Sequence, residues 1–127
     1  MPDFRKSESW VLREYMKPWT IEVKHWTDDR GNHWNVYVHI FPKFPGFDAL
    51  EEKMLTKIPV DMPWGPSYCK WDRNEKGEVI VKTYGSDYGH IHMERFEKYS
   101  TREEAVEVFE DAEHNWNQMS EIFNKTN

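Results

Sequence analysis

Trp19-Thr20-Ile21-Glu22-Val23-Lys24, the turn residues Asp28-Asp29-Arg30-Gly31-Asn32, and Trp34-Asn35-Val36-Tyr37-Val38-His39-Ile40-Phe41 decide how this chain folds. In the first run Trp19, Ile21 and Val23 alternate with Thr20, Glu22 and Lys24, the period-two pattern of a half-buried strand. In the last, Trp34, Val36, Val38 and Ile40 take one face, and Asn35, Tyr37, His39 and Phe41 take the other. Five consecutive turn-forming residues between them predict a β-hairpin with one apolar face.

Working outward, Ser7 or Ser9 is placed to cap a short helix carrying Trp10, Val11, Leu12 and Tyr15, ended near Lys17 because Pro18 disfavours helical geometry in the residue before it. Beyond the hairpin, Pro42 and Pro45 stop the strand. Asp48 then caps a short predicted helix with Leu50, Met54 and Ile58 at four-residue spacing. Pro59, Pro63 and Pro66 impose an extended segment that holds Trp64 and Gly65. Further strands are predicted over Ser67 to Asp72, Val79 to Tyr84 and His90 to Arg95. They are parted by the turn-rich Asn74-Glu75-Lys76-Gly77 and Gly85-Ser86-Asp87-Tyr88-Gly89.

At the C-terminal end, Ala105, Phe109, Ala112, Trp116, Met119 and Phe123 step by three or four residues along one helical stripe, which Val108 and Ile122 widen. Ser100 with Glu103, or Thr101 with Glu104, forms a capping box. Glu103, Glu107, Glu110, His114, Asn117 and Glu121 occupy the opposite face. An amphipathic helix of this kind covers the apolar face of a sheet. The expected fold is therefore α+β, an antiparallel sheet of about five strands built from a hairpin and a meander, covered on one face by the long C-terminal helix, with short N-terminal and mid-chain helices. Residues 1–127 show no repeat or linker and read as a single domain.

Composition narrows the function. The chain has a hydrophobic fraction of 38% but an aromatic fraction of 16%, including 7 Trp, so the core is expected to be rich in rings and some rings are expected at the surface. A net charge of −6 argues against general affinity for duplex nucleic acid. Cys69 is the single cysteine, no apolar run approaches a membrane span, and Met1 to Lys6 lack the apolar stretch of a signal peptide. A reducing cytoplasm is the expected location.

No phosphate-cradling glycine loop, CxxC pair, helical His-Glu-x-x-His or Gly-x-Ser-x-Gly elbow is present. Asp87-x-x-His90-x-His92 is the best remaining constellation, because strand alternation projects both imidazoles from one face beside an acid, a plausible set of ligands for a divalent metal. His39 is a third imidazole if its strand is a neighbour. Against this stands the commoner situation in which such histidines line the wet face of a sheet. A second signal is the set of rings Trp64, Tyr68, Trp71, Tyr84 and Tyr88 around two turn-rich segments, which can sandwich a planar ligand. Most single rings are nonetheless core. Lys70, Lys82 and Arg95 add positive charge nearby, and Cys69 reads as a small buried apolar residue rather than a nucleophile.

The order of short motifs resembles that of a group of small phage proteins with a Pro-ended strand, a His-Gly-Gly-x-Thr-Tyr segment, a Gly-Phe-Asp-x-x-His segment and a C-terminal helix. Val36 to Pro42, Trp64-Gly65-Pro66-Ser67-Tyr68 and Gly85-Ser86-Asp87-Tyr88-Gly89-His90 are the matching stretches. Trp64 stands where that pattern has His, Pro66 replaces a Gly, and Met93 sits where an acid is often found. Gly65, Tyr68, Asp87 and His90 carry over. The resemblance implies a phage or prophage accessory protein acting in the host bacterial cytoplasm.

The leading expectation is thus a non-enzymatic protein that binds a small planar or anionic ligand, such as a nucleotide signal that a phage would sequester. Its ligand-binding residues would be Trp64, Gly65, Tyr68, Asp87, Tyr88 and His90. One alternative is a protein that inhibits a host factor through exposed aromatics or the acidic helix face. Another is a metal-dependent hydrolase using Asp87, His90 and His92. No membrane partner and no cofactor are expected, apart from the divalent metal of the last reading.

Overall fold

The computed structural model describes residues 7–28, 31–50, 68–87 and 101–126. It contains strands β1 (Ser7–Leu12), β2 (Trp19–Asp28), β3 (Gly31–Ile40), β4 (Tyr68–Arg73) and β5 (Val79–Asp87), and helix α1 (Thr101–Thr126). The strands form one sheet in the order β1-β2-β3-β5-β4, with every neighbouring pair antiparallel. Helix α1 packs on β2 and β3. The architecture is α+β, a five-stranded antiparallel sheet with one long helix across it.

The predicted hairpin is the centre of the sheet. β2 and β3 pair from Trp19↔Ile40 to Asp28↔Gly31, which sets Ile21 against Val38 and Val23 against Val36. These apolar partners, with Trp19, Ile40 and Tyr84 of β5, are almost wholly buried under Val108, Ala112 and Met119 of α1. Fully burying an aliphatic side chain of this size contributes about 1.5–3 kcal/mol. Trp19 anchors an aromatic cluster with ring centroids 5.7 Å from Phe44, 5.0 Å from Trp116 and 5.4 Å from Phe123. On α1 the sides separate as periodicity predicts, with Glu110, His114, Asn117 and Glu121 exposed. Asn115 is the exception: it is 1% exposed, on the covered side, with Nδ2 3.4 Å from Gln118 Oε1.

Three local expectations are corrected. The N-terminal segment is strand β1, not a helix, and pairs Trp10 with Val23 and Leu12 with Ile21. Its Trp10 ring stacks on Trp34 at 6.3 Å and meets Phe109 of α1 edge-on at 5.3 Å. That slot exists only once hairpin and helix have packed, and such tertiary contact overrides local propensity. Where the mid-chain helix was expected to begin, the described residues form a 3-10 turn, Phe47–Ala49. Its N-cap is Gly46 at φ 79, rather than Asp48, and Leu50 is already extended. Finally, Gly85, Ser86 and Asp87 are not loop but the last residues of β5. The residues 51–58 of the mid-chain helix and the strand predicted over His90 to Arg95 lie outside the described residues.

The β4–β5 turn follows its sequence. Asn74 Oδ1 accepts from Lys76 N at 2.9 Å and Glu78 N at 3.0 Å, and Gly77 takes φ 83, a left-handed conformation open to glycine. This second hairpin docks through β5, so that Tyr84 lies beside Val38 in the core and β4 is outermost among the described strands on that side. No helix among the described residues is long and apolar enough to cross a membrane.

Candidate functional site

Because side chains alternate along a strand, the residues between the buried ones emerge on the side of the sheet away from α1. Antiparallel register groups them into rows. One row runs Glu22, Tyr37, Gly85, Tyr68 across β2, β3, β5 and β4. The adjacent row runs Thr20, His39, Thr83, Lys70.

Gly85 shapes the first row. A Cβ built there would lie 2.6 Å from Tyr37 Cδ1, 2.8 Å from Tyr37 Cε1 and 3.1 Å from Tyr68 Cβ. The missing side chain lets the Tyr37 ring lie over the β5 backbone, a close approach that only glycine permits. Tyr37 and Tyr68 then meet at right angles, with centroids 5.4 Å apart and an interplanar angle of 81°. Tyr68 is 41% exposed, so one wall of this aromatic corner faces solvent. Lys24 places its ammonium 5.7 Å from the Tyr37 centroid, and Asn35 Nδ2 donates to the Tyr37 hydroxyl at 2.7 Å. Asn35 Oδ1 is buried and accepts no hydrogen bond among the described residues.

In the second row, His39 bridges two strands. Its Nε2 lies 3.0 Å from Glu22 Oε1, and its Nδ1 lies 2.9 Å from Thr83 Oγ1. An ionised carboxylate only accepts, so in the neutral ring Nε2–H donates to Glu22 and Nδ1 accepts from the Thr83 hydroxyl. Carboxylate, imidazole and hydroxyl in line is an arrangement able to activate a hydroxyl nucleophile. Here Thr83 is only 4% exposed, which denies a substrate access to Oγ1. The array instead orients the imidazole, which is offset-stacked on Tyr37 at 6.2 Å and 26°. On β4 Lys70 donates to Asp72 at 3.2 Å, and this hydrogen bond, with the negative charge of the carboxylate, raises the Lys70 pKa and keeps the amine charged.

Of the residues expected to bind ligand, Tyr68 is on this face and Asp87 ends β5 opposite Asn35 in β3. Trp64, Gly65, Tyr88 and His90 lie outside the described residues, as does His92 of the metal set. Tyr68 begins β4 and pairs with Gly85, two residues before β5 ends, so both flanking segments join the sheet at the same end. Other expected rings divide differently. Tyr84 is core, and Trp71 packs edge-on against it at 5.5 Å on the helix side. Lys82 is also on that side, where its Nζ donates to Phe47 O at 2.6 Å and Leu50 O at 3.1 Å, so it is not a surface cation. Cys69 packs against the core.

Among the described residues no three His, Cys, Asp or Glu side chains are grouped to hold a metal ion. Whether the strand of His39 neighbours the one predicted for His90 and His92 lies outside the described residues, and both ring nitrogens of His39 already have protein partners. Glu22, Tyr37 and Thr83 escaped attention in the sequence. Alternation marks them as outward-facing, but which of them meet depends on register between strands far apart in the chain. No protein-family model matches this chain, and no curated protein or solved structure matches it either.

Proposed function

We propose that the protein binds a small planar, anionic ligand of the nucleotide type on the sheet face away from α1, without catalysing its conversion. The observation that carries this is the right-angled Tyr37–Tyr68 corner over the side-chain-free Gly85. A flat ring stacks on one tyrosine while presenting its edge to the other, and base–aromatic stacking contributes about 1–3 kcal/mol per base. Lys24 supplies positive charge on the same face, where Lys70 is paired with Asp72, and the Glu22–His39–Thr83 array holds an imidazole beside the rings. Burial of Thr83 favours binding over hydroxyl-based catalysis.

The matching stretches of the phage-protein resemblance flank this corner in sequence, since Tyr68 and Gly85 terminate two of them. A phage or prophage accessory protein that sequesters a nucleotide signal in the bacterial cytoplasm is the biological role we assign. Calorimetry against mono-, di- and cyclic nucleotides tests it. At least one should bind the intact protein and bind Tyr68→Ala about tenfold or more weakly, as loss of one stacking partner requires. Absence of heat across the panel, or undiminished binding by that variant, rejects the site.

A further inference from the structure

We propose a second binding site, separate from the aromatic corner, for a single-chain aliphatic carboxylate. It is an open groove of about 630 Å³ where the β1–β2 connection, the segment after β3 and the C-terminal part of α1 converge. Its apolar surface comes from Met16, Pro18, Phe41, Pro42 and Phe123. Among the described residues that line it, the polar side chains are those of Lys17 and Lys43.

Charge selects the occupant. In a chain of net charge −6, two lysines and no acid are found among the described residues that line this groove. The Lys17 ammonium lies 4.9 Å from the Phe123 ring centroid, so one cation is held directly against the apolar wall. An anionic head beside an aliphatic body satisfies both features at once. Another open groove, along β1 and α1, includes Glu14 and Glu113 in its lining and lacks this selectivity.

The groove is also built at a conformational cost. Met16 adopts φ 66, the left-handed region that a side chain disfavours by about 1–2 kcal/mol. Lys17 N closes the turn on Glu14 O at 3.1 Å, and Phe41 N donates to Pro18 O at 3.0 Å, fastening the two lips together. Met16 is nonetheless 77% exposed, so no buried packing offsets its strain. A strained apolar residue held at the lip of a cationic apolar groove is accounted for if an apolar chain covers it in the bound state.

The test uses the full chain with sodium decanoate as probe, well below its micellar concentration, followed by calorimetry. Decanoate should bind saturably at one site, decylamine should not, and Lys17→Gln/Lys43→Gln should weaken decanoate about tenfold or more, as loss of charge-assisted contacts implies. Tyr68→Ala should leave decanoate binding unchanged, which separates failure of this site from failure of the nucleotide site. An unchanged thermal midpoint in the lysine variant confirms that it is folded, and Lys17→Arg/Lys43→Arg should restore binding in either case. The proposal is overturned if decanoate gives no saturable heat, if decylamine binds equally, or if the glutamine variant binds as the parent does. Binding to phosphatidylglycerol vesicles with none to monomeric decanoate also overturns it, in favour of a membrane surface.

Discussion

Replacing Gly85 by alanine sets two effects of opposite sign against each other at the centre of the sheet face away from α1. Gly85 has no positive φ, so its backbone accepts alanine, and local propensity alone favours the change by about 0.5–1 kcal/mol. The new methyl, however, would lie 2.6 Å from Tyr37 Cδ1 and 3.1 Å from Tyr68 Cβ, well inside normal carbon–carbon contact. Tyr68 Cβ is fixed to the backbone, so the Tyr37 ring must move, straining its 2.7 Å hydrogen bond from Asn35. Overpacking of this kind costs about 1–3 kcal/mol, and a lost hydrogen bond adds about 0.5–1.5 kcal/mol. We expect a net loss of about 1–3 kcal/mol, lowering the urea midpoint by on the order of 1 M. In a Tyr37→Ala background most of that loss should vanish, giving a coupling of at least about 1 kcal/mol in a double-mutant cycle. If Gly85→Ala is neutral or stabilising, or its penalty is the same without the Tyr37 ring, the corner is not built as described.

Three further outcomes are expected. Trp19→Ala should destabilise by about 3–5 kcal/mol in chemical denaturation, because a fully buried ring among Phe44, Trp116 and Phe123 is removed; a loss under 1 kcal/mol would contradict its central place. Burial lowers the Lys82 pKa below 10.5, partly opposed by Asp48, so the folded state releases this proton before the unfolded state does. The stability of the parent relative to Lys82→Met should therefore increase as pH climbs through the folded pKa towards 10.5. A gap that stays constant or shrinks over that window in urea titrations would reverse the sign. In the neutral His39 ring, nitrogen NMR should find the proton on Nε2, and Thr83→Val should remove the hydroxyl bonded to Nδ1, costing about 1–2 kcal/mol. A proton on Nδ1 would mean that the array runs in the other direction.

Elements whose signal is local were legible before any coordinates. Trp19, Ile21 and Val23 alternate within six residues, and the stripe from Ala105 to Phe123 repeats within one helix, so both survive whatever surrounds them. Segment β1 was not legible, because Trp10 and Leu12 suit a helix or a strand equally well, and the choice is made by the Trp34 and Phe109 rings that receive Trp10. Lys82 reads as a surface cation until it is seen donating to the carbonyls of Phe47 and Leu50, over 30 positions away, at separations of 35 and 32.

The amino-acid order by itself determined that a hairpin with one apolar face would be roofed by an amphipathic helix, because periodicity and turn chemistry act between near neighbours. Which outward residues share a row is set by how distant strands register against one another. His39 meets Glu22 at a separation of 17 and Thr83 at a separation of 44, and Tyr37 reaches Tyr68 across Gly85 on the strand between. Those meetings depend on register, and a slip of one residue would turn every one of these side chains to the opposite face.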